Sequence, residues 1–160
     1  MATETVDPVT DPFETRLAWK HGAIAGLLAT IGMGLAISVM DIELLRVAIA
    51  GLYGQEGSLA TGWLAHLIHG TLFGIVFALV RTEPALAGFV GSSGKTVAAA
   101  IVYALVLTLA GAGIVMPIWL SMVGFASPLP VPNLSLASVL WHLIYGVLLG
   151  SLFAAFQSLE

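Results

Sequence analysis

The side chains in this chain with chemistry to offer are few, and two of them recur in matching surroundings. Leu64-Ala65-His66-Leu67-Ile68-His69-Gly70-Thr71-Leu72-Phe73-Gly74 and Leu140-Trp141-His142-Leu143-Ile144-Tyr145-Gly146-Val147-Leu148-Leu149-Gly150 align without a gap, bringing His66 into register with His142. At 100° per residue, His66, His69, Gly70, Phe73, Gly74 and Phe77 share one helix face, and His142, Tyr145, Gly146, Leu149, Gly150 and Phe153 share another. Two imidazoles set opposite each other, with His69 and Tyr145 as neighbours, would suit the axial positions of haem b or a single transition metal. They could equally hold helices together, since a neutral imidazole donates through one nitrogen and accepts through the other. A pH-sensing or substrate-contacting pair is the third reading. His21, beside Lys20, is assigned no chemistry.

Other chemistries find less support. The chain has no cysteine, which removes disulfides, thiolate metal sites and a cysteine nucleophile. Asp41, Glu43, Glu56, Glu83 and Glu160 fall outside the apolar runs, so a carboxylate proton relay is not expected. No Ser/His/Asp arrangement is apparent, and the chain reads as non-enzymatic. Gly91-Ser92-Ser93-Gly94-Lys95-Thr96 resembles the end of a phosphate-binding loop, but Phe89 stands where its first glycine belongs, and such a loop joins a strand to a helix. The segment reads as a turn with Thr96 as helix cap. A net charge of −4 argues against nucleic acid, which is bound through clustered Lys and Arg.

The elements that must position the histidines follow from hydropathy. Of 160 residues, 59% are hydrophobic and 9% charged, far from a soluble composition. No Asp, Glu, Lys or Arg occurs between Lys20 and Asp41, between Glu56 and Arg81, or from Thr96 to Leu159. A helix needs about 20 apolar residues to cross a bilayer, so four crossings are expected near Trp19–Met40, Thr61–Val80, Thr96–Met116 and Ser135–Gln157. Arg16, Lys20, Arg81 and Lys95 lie on one side and Arg46 on the other, which puts both termini in the cytoplasm of a cell-membrane protein. Trp19, Trp63 and Trp119 sit at helix ends, where indole prefers the headgroup region. Residues 1–16 carry Glu4, Asp7, Asp11 and Glu14 without the positive start of a cleavable signal, and read as a disordered acidic cytoplasmic tail.

Residues 17–160 then form one all-α, four-helix transmembrane domain made of two hairpin repeats, about 17–81 and 95–157. Each repeat crosses twice, so the two are parallel and related by an axis along the membrane normal. The outer connections, near 41–60 and 117–134, are long for helix joints, and each is expected to hold a short interfacial helix, the alternative being that helices 1 and 3 continue beyond the membrane. Gly22 and Gly26, Gly70 and Gly74, and Gly146 and Gly150 form small-xxx-small pairs, devices for close helix packing.

The Gly-rich first helix, the paired His-x-x-x-Gly-x-x-x-Gly element, Val115-Met116-Pro117 and the closing Trp141–Gly150 segment resemble an uncharacterised family of small prokaryotic four-helix membrane proteins, over nearly everything from Trp19 onward. The resemblance implies a multi-pass domain of unknown function and supplies no catalytic or ligand residues. Three functions are expected from the residues themselves. The first is an accessory or scaffold subunit packing against another membrane protein or a second copy of itself. The second is a small cytochrome b-like carrier using His66 and His142. The third is a small-solute or lipid-binding carrier with a pocket between helices 2 and 4 gated by the outer segments.

Overall fold

The structure, a computed structural model, describes residues 12–83, 92–127 and 129–159, with side chains from residue 18 onward. Its elements are α1 (Pro12–Met40), a π-helical turn at Leu44–Ile49, α2 (Leu59–Arg81), α3 (Ser93–Val106), a π-helical stretch at Leu107–Val115, α4 (Met116–Met122) and α5 (Leu136–Gln157). Among the described residues no strand occurs, and four spans are long and apolar enough to cross a bilayer: Ala18–Met40, Leu59–Arg81, Ser93–Met122 and Leu136–Gln157. The chain is a multi-pass helical membrane protein. In lipid the helix is the open-chain conformation that satisfies its own backbone, and these four apolar stretches adopt it.

The boundaries differ from the sequence expectation in three places. The backbone is helical from Pro12, so residues 12–16 belong to α1 and not to the expected disordered tail; residues 1–11 lie outside the described part. The third crossing does not stop at Met116 but runs on through the π stretch to Met122. Helix α3 is capped by Ser92, whose hydroxyl accepts from the Lys95 amide at 3.4 Å. Thr96, the expected cap, is instead buried and donates to the Ser92 carbonyl at 3.2 Å. Ser58 and Ser135 cap α2 and α5 in the same way, each supplying an oxygen to an amide that the first helical turn leaves unpaired.

Outside α1, the first outer connection breaks at Asp41 and turns into a helical segment over residues 42–51, with Arg46 and Glu43 paired at 2.8 Å on its exposed side. Gly54 and Gly57 then take φ of +66° and +90°, a region closed to most side chains, and let the chain turn back into α2. The loop before α5 instead folds over the π stretch, where the Asn133 amide donates to the Gly113 carbonyl at 2.8 Å.

Helix α1 packs along both α2 and α5, and α3 packs along α5. Glycine sets these spacings. A Cβ on Gly22 would sit 2.5 Å from the Gly74 carbonyl oxygen, and one on Gly26 would sit 2.7 Å from the Gly70 carbonyl oxygen. Gly146 and Gly150 make room for α3 in the same fashion, against Ala104 and Ala100. The glycine faces of the second and fourth crossings are thus turned toward their own hairpin partners. The core between the hairpins is aromatic: Phe77 and Phe153 meet edge to face at 5.7 Å, and the Arg81 guanidinium lies 4.8 Å over Phe153.

Gly26→Leu should therefore destabilise the bundle by about 1–3 kcal/mol, the usual cost of overpacking a filled interface. Gly94→Ala, where a Cβ meets open space, should leave stability unchanged or slightly raise it. Denaturation midpoints in mixed detergent micelles check the pair; equal midpoints would refute the close-packing account.

Candidate functional site

His66 is wedged against α1. Gly34 provides the room: a Cβ there would fall 2.6 Å from the Trp63 ring and 3.1 Å from His66 Cδ2. Trp63 lies edge-on to the imidazole at 6.1 Å, so this tryptophan, expected among the headgroups, is partly buried against its neighbour. His66 is 7% exposed, and its Nε2 is buried with no hydrogen-bond partner among the described residues. His142 stands on α5, one turn beyond Ser138, with Nδ1 2.8 Å from the Ser138 carbonyl. A carbonyl can only accept, so Nδ1 carries a hydrogen, and in the neutral ring Nε2 carries the lone pair. The two histidines line the same cavity.

The expected neighbours take different roles. Tyr145, 2% exposed, reaches from α5 and donates its hydroxyl to the Gly70 carbonyl of α2 at 2.7 Å. His69 turns outward and pairs Nε2 with the Tyr53 hydroxyl at 2.6 Å, its ring stacked on that of Tyr53 at 5.9 Å. It thereby ties α2 to the first outer segment. Trp119, near the end of the third crossing, holds the same segment, its indole N–H donating to the Leu52 carbonyl at 2.8 Å.

These groups surround a cavity of about 460 Å³. Thr30, Gly70 and Tyr145 form its inner floor, His66, Trp141 and His142 line its walls, and Leu52, Tyr53 and Trp119 close it from the outer side. The remaining wall is thin. Helix α2 and the third crossing do not pack side by side as the other neighbours do. Deeper in the bundle Tyr103 bridges them by donating to the Phe73 carbonyl at 2.9 Å. Above that bridge the cavity is bounded by Phe73 on α2 and by Gly111, Ala112 and Val115 on the π stretch. Phe73 and Val115 are 38% and 60% exposed, so on this flank the cavity borders the lipid-facing surface. Among the described residues no Lys, Arg, Asp or Glu lines it and no three metal-binding side chains cluster.

Trp141 was not singled out by the sequence reading, yet it is 5% exposed, lines the cavity and has an indole N–H with no partner among the described residues. The signal was there: among the chain's 4 tryptophans it alone was not placed at a helix end, and it adjoins His142. Asn133 and Tyr53, also lining the cavity, carry no comparable signal, because their positions depend on how the outer loops fold back. Gly22, Gly26, Gly70, Gly74, Gly146 and Gly150 lie at helix contacts.

No family model, curated protein or solved structure matches the chain. The resemblance noted above therefore brings no residue roles to this site.

Tyr145→Phe should cost about 0.5–1.5 kcal/mol, the range for one net hydrogen bond, because it leaves the shape of the site and removes the only polar link the ring makes to α2. Unfolding in sodium dodecyl sulfate, with Tyr53→Phe as a comparison at the exposed edge, measures it. A midpoint identical to wild type would show that the contact to Gly70 carries no energy.

Proposed function

We propose that this chain is a non-enzymatic membrane binding protein, taking a small lipid-soluble molecule from the bilayer into the cavity between its second and fourth crossings. The cavity carries the reading. Its volume lies within the roughly 300–1,000 Å³ of ordinary ligand sites, and it combines an apolar lining with a few convergent polar groups, as such sites do. The buried unpartnered nitrogens of His66 and Trp141 support it further. In native interiors such groups are rare, because each costs the desolvation that water or a partner would offset. A ligand group is one such partner.

Two features of the chain agree with this proposal. First, a tandem pair of parallel hairpins would explain why residues 76 apart meet at its centre. Arg81 donates to Gln157 at 3.1 Å, Phe77 touches Phe153, and His66 and His142 line one cavity. Contacts between equivalent positions are what a two-fold axis produces, and a site formed at the interface of two repeats is the common pattern among carriers. Second, the first outer segment, read as lying at the membrane surface with both termini cytoplasmic, is tied to the bundle by the Tyr53–His69 and Trp119–Leu52 hydrogen bonds. Those are bonds that a gate could release.

A haem held by His66 and His142 is the reading that the free Nε2 of His142 favours, since a ligating imidazole usually gives its other nitrogen to a carbonyl. Against it, the two carboxylates of a haem would find no cationic side chain in the cavity lining. Absorption near the Soret region in protein purified from haem-replete cells would establish that alternative. An accessory role beside another membrane protein is compatible with ligand binding and is supported by the broad apolar outer surface, though lipid covers such a surface equally well.

Organic extraction of natively purified protein, followed by mass spectrometry, should yield one or a few compounds in near-stoichiometric amount and enriched over bulk lipid. Gly111→Phe, which fills the cavity from a position where a Cβ has free space, should abolish the enrichment while leaving the fold intact. Identical extracts from wild type and variant would overturn the proposal. Topology is open to an independent check, because the sequence contains no cysteine. Single cysteines at Gln55 and Ser158 should be labelled from opposite faces of the membrane, Ser158 from the cytoplasmic one.

A further inference from the structure

Resting on that reading, we infer that the cavity selects a neutral molecule whose polar end is a hydroxyl group, held between His142 and Trp141 while its apolar body extends past Phe73 and Val115 toward the lipid. Charge decides the first part. With no ionic side chain in the lining, a carboxylate, phosphate or ammonium would be desolvated without a counter-charge, at a cost far above that of a neutral polar group.

Hydrogen-bond bookkeeping decides the second part. His142 gives its Nδ1 hydrogen to Ser138, so Nε2 of the neutral ring can only accept. Trp141 Nε1, buried and unpartnered, can only donate. A ketone or ether oxygen would satisfy the indole and leave the imidazole lone pair facing apolar surface. A hydroxyl serves both once the Trp141 ring, which lines the cavity, turns its buried edge toward it, accepting from the indole and donating to the imidazole. His66 Nε2, also buried and unpartnered, lies on the opposite helix in the same cavity, and a second hydroxyl on the ligand would find its partner there. Long-chain and isoprenoid alcohols, sterol-like alcohols and hydroquinones share this chemistry.

Route and shape agree. The flank between α2 and the π stretch lacks the close packing found at the other contacts, and its bounding residues Phe73 and Val115 are exposed on the surface that the spans present to lipid. Gly111 and Ala112 keep that wall low. An amphiphile dissolved in the bilayer can therefore enter sideways, with only its head crossing the protein surface.

Photolabelling of the full chain in lipid nanodiscs tests this with four matched probes: a hexadecane chain carrying a mid-chain diazirine and ending in an alcohol, its methyl ether, a carboxylic acid or an amine. The alcohol should label peptides containing Phe73 or Val115 about tenfold more than the ether at equal mole fraction, the ratio that one well-placed hydrogen bond is worth. The acid and the amine should not exceed the ether. His142→Phe and Trp141→Phe should each bring the alcohol down to the ether's level, and Gly111→Phe should remove cavity labelling altogether. Equal labelling by alcohol and ether, both lost in Gly111→Phe, would overturn the hydroxyl inference while leaving the cavity as a binding site. Stronger labelling by the acid or the amine would overturn it as well. Labelling by every probe that Gly111→Phe does not change would bring down the binding proposal itself.

Discussion

In hydrocarbon a polar group that lacks a protein partner has no water to turn to, and this single constraint arranges the whole structure. It makes the spans helical, and it turns side-chain hydroxyls toward backbone carbonyls. Thr30, Ser38, Thr71, Thr96 and Thr108 all return theirs to the turn before. Once local bonds are made, longer reaches follow. Tyr145 and Tyr103 each spend a hydroxyl on the carbonyls of α2, at Gly70 and Phe73. Those two bonds hold together hairpins whose backbones otherwise meet through α1 and α5. Against this background the buried nitrogens of His66 and Trp141 stand out, because they escape a rule that their neighbours obey and they do so in the same cavity.

Packing in the bundle is a question of how small residues are spent. Where Gly22 and Gly26 face Gly70 and Gly74, two backbones come into contact and nothing can pass between them. Gly34 is spent differently, admitting the rings of Trp63 and His66 instead of a backbone. Gly111 is spent on space alone, as no atom lies within reach of a Cβ placed there. A glycine in a helix interior costs about 1 kcal/mol against alanine, and at Gly111 no close packing offsets that cost. The open wall of the cavity is the structural consequence.

Much of the fold could be read from the chain because it is imposed by composition. Charge-free runs bounded by Lys20, Asp41, Glu56 and Arg81 leave little choice about where helices cross, and the placement of four spans follows. The candidate site was legible in part: His66, His142 and Tyr145 were marked by their position in polar-poor helices. Their geometry was not. The glycine faces of the second and fourth crossings suggested by symmetry that these helices face each other directly, but glycine draws a backbone, and the nearest backbones belonged to α1 and α3. Trp141 stood apart as the one tryptophan not placed at a helix end, but its type alone does not tell that its indole N–H lies unpaired beside a cavity. Thr96 was misread as a cap because the hydroxyl that reaches the free amides belongs to Ser92, at the extended residue before the helix.

The π stretch at Leu107–Val115 was invisible in the sequence, yet it reconciles two registers that disagree. Aligned by their histidines, α2 and α5 differ by 76 positions, and so do Val39-Met40 and Val115-Met116. Across the hairpin contacts the numbers change: Gly70 meets Gly26 and Thr30, while Gly146 meets Ala100 and Ala104, a spacing of 74. Up to the aligned Val39 and Val115, the third crossing therefore has two residues more than α1 beyond its packed lower half. An α-helix has nowhere to put them, and a π-helix, with its wider turn, absorbs extra residues without breaking the hydrogen-bond ladder. The widening falls at Gly111 and Ala112, opposite Phe73, where the bundle fails to close. His66 and His142 line a cavity whose wall at Gly111 and Ala112 belongs to this widened stretch, so the π turn and the histidines meet in one site.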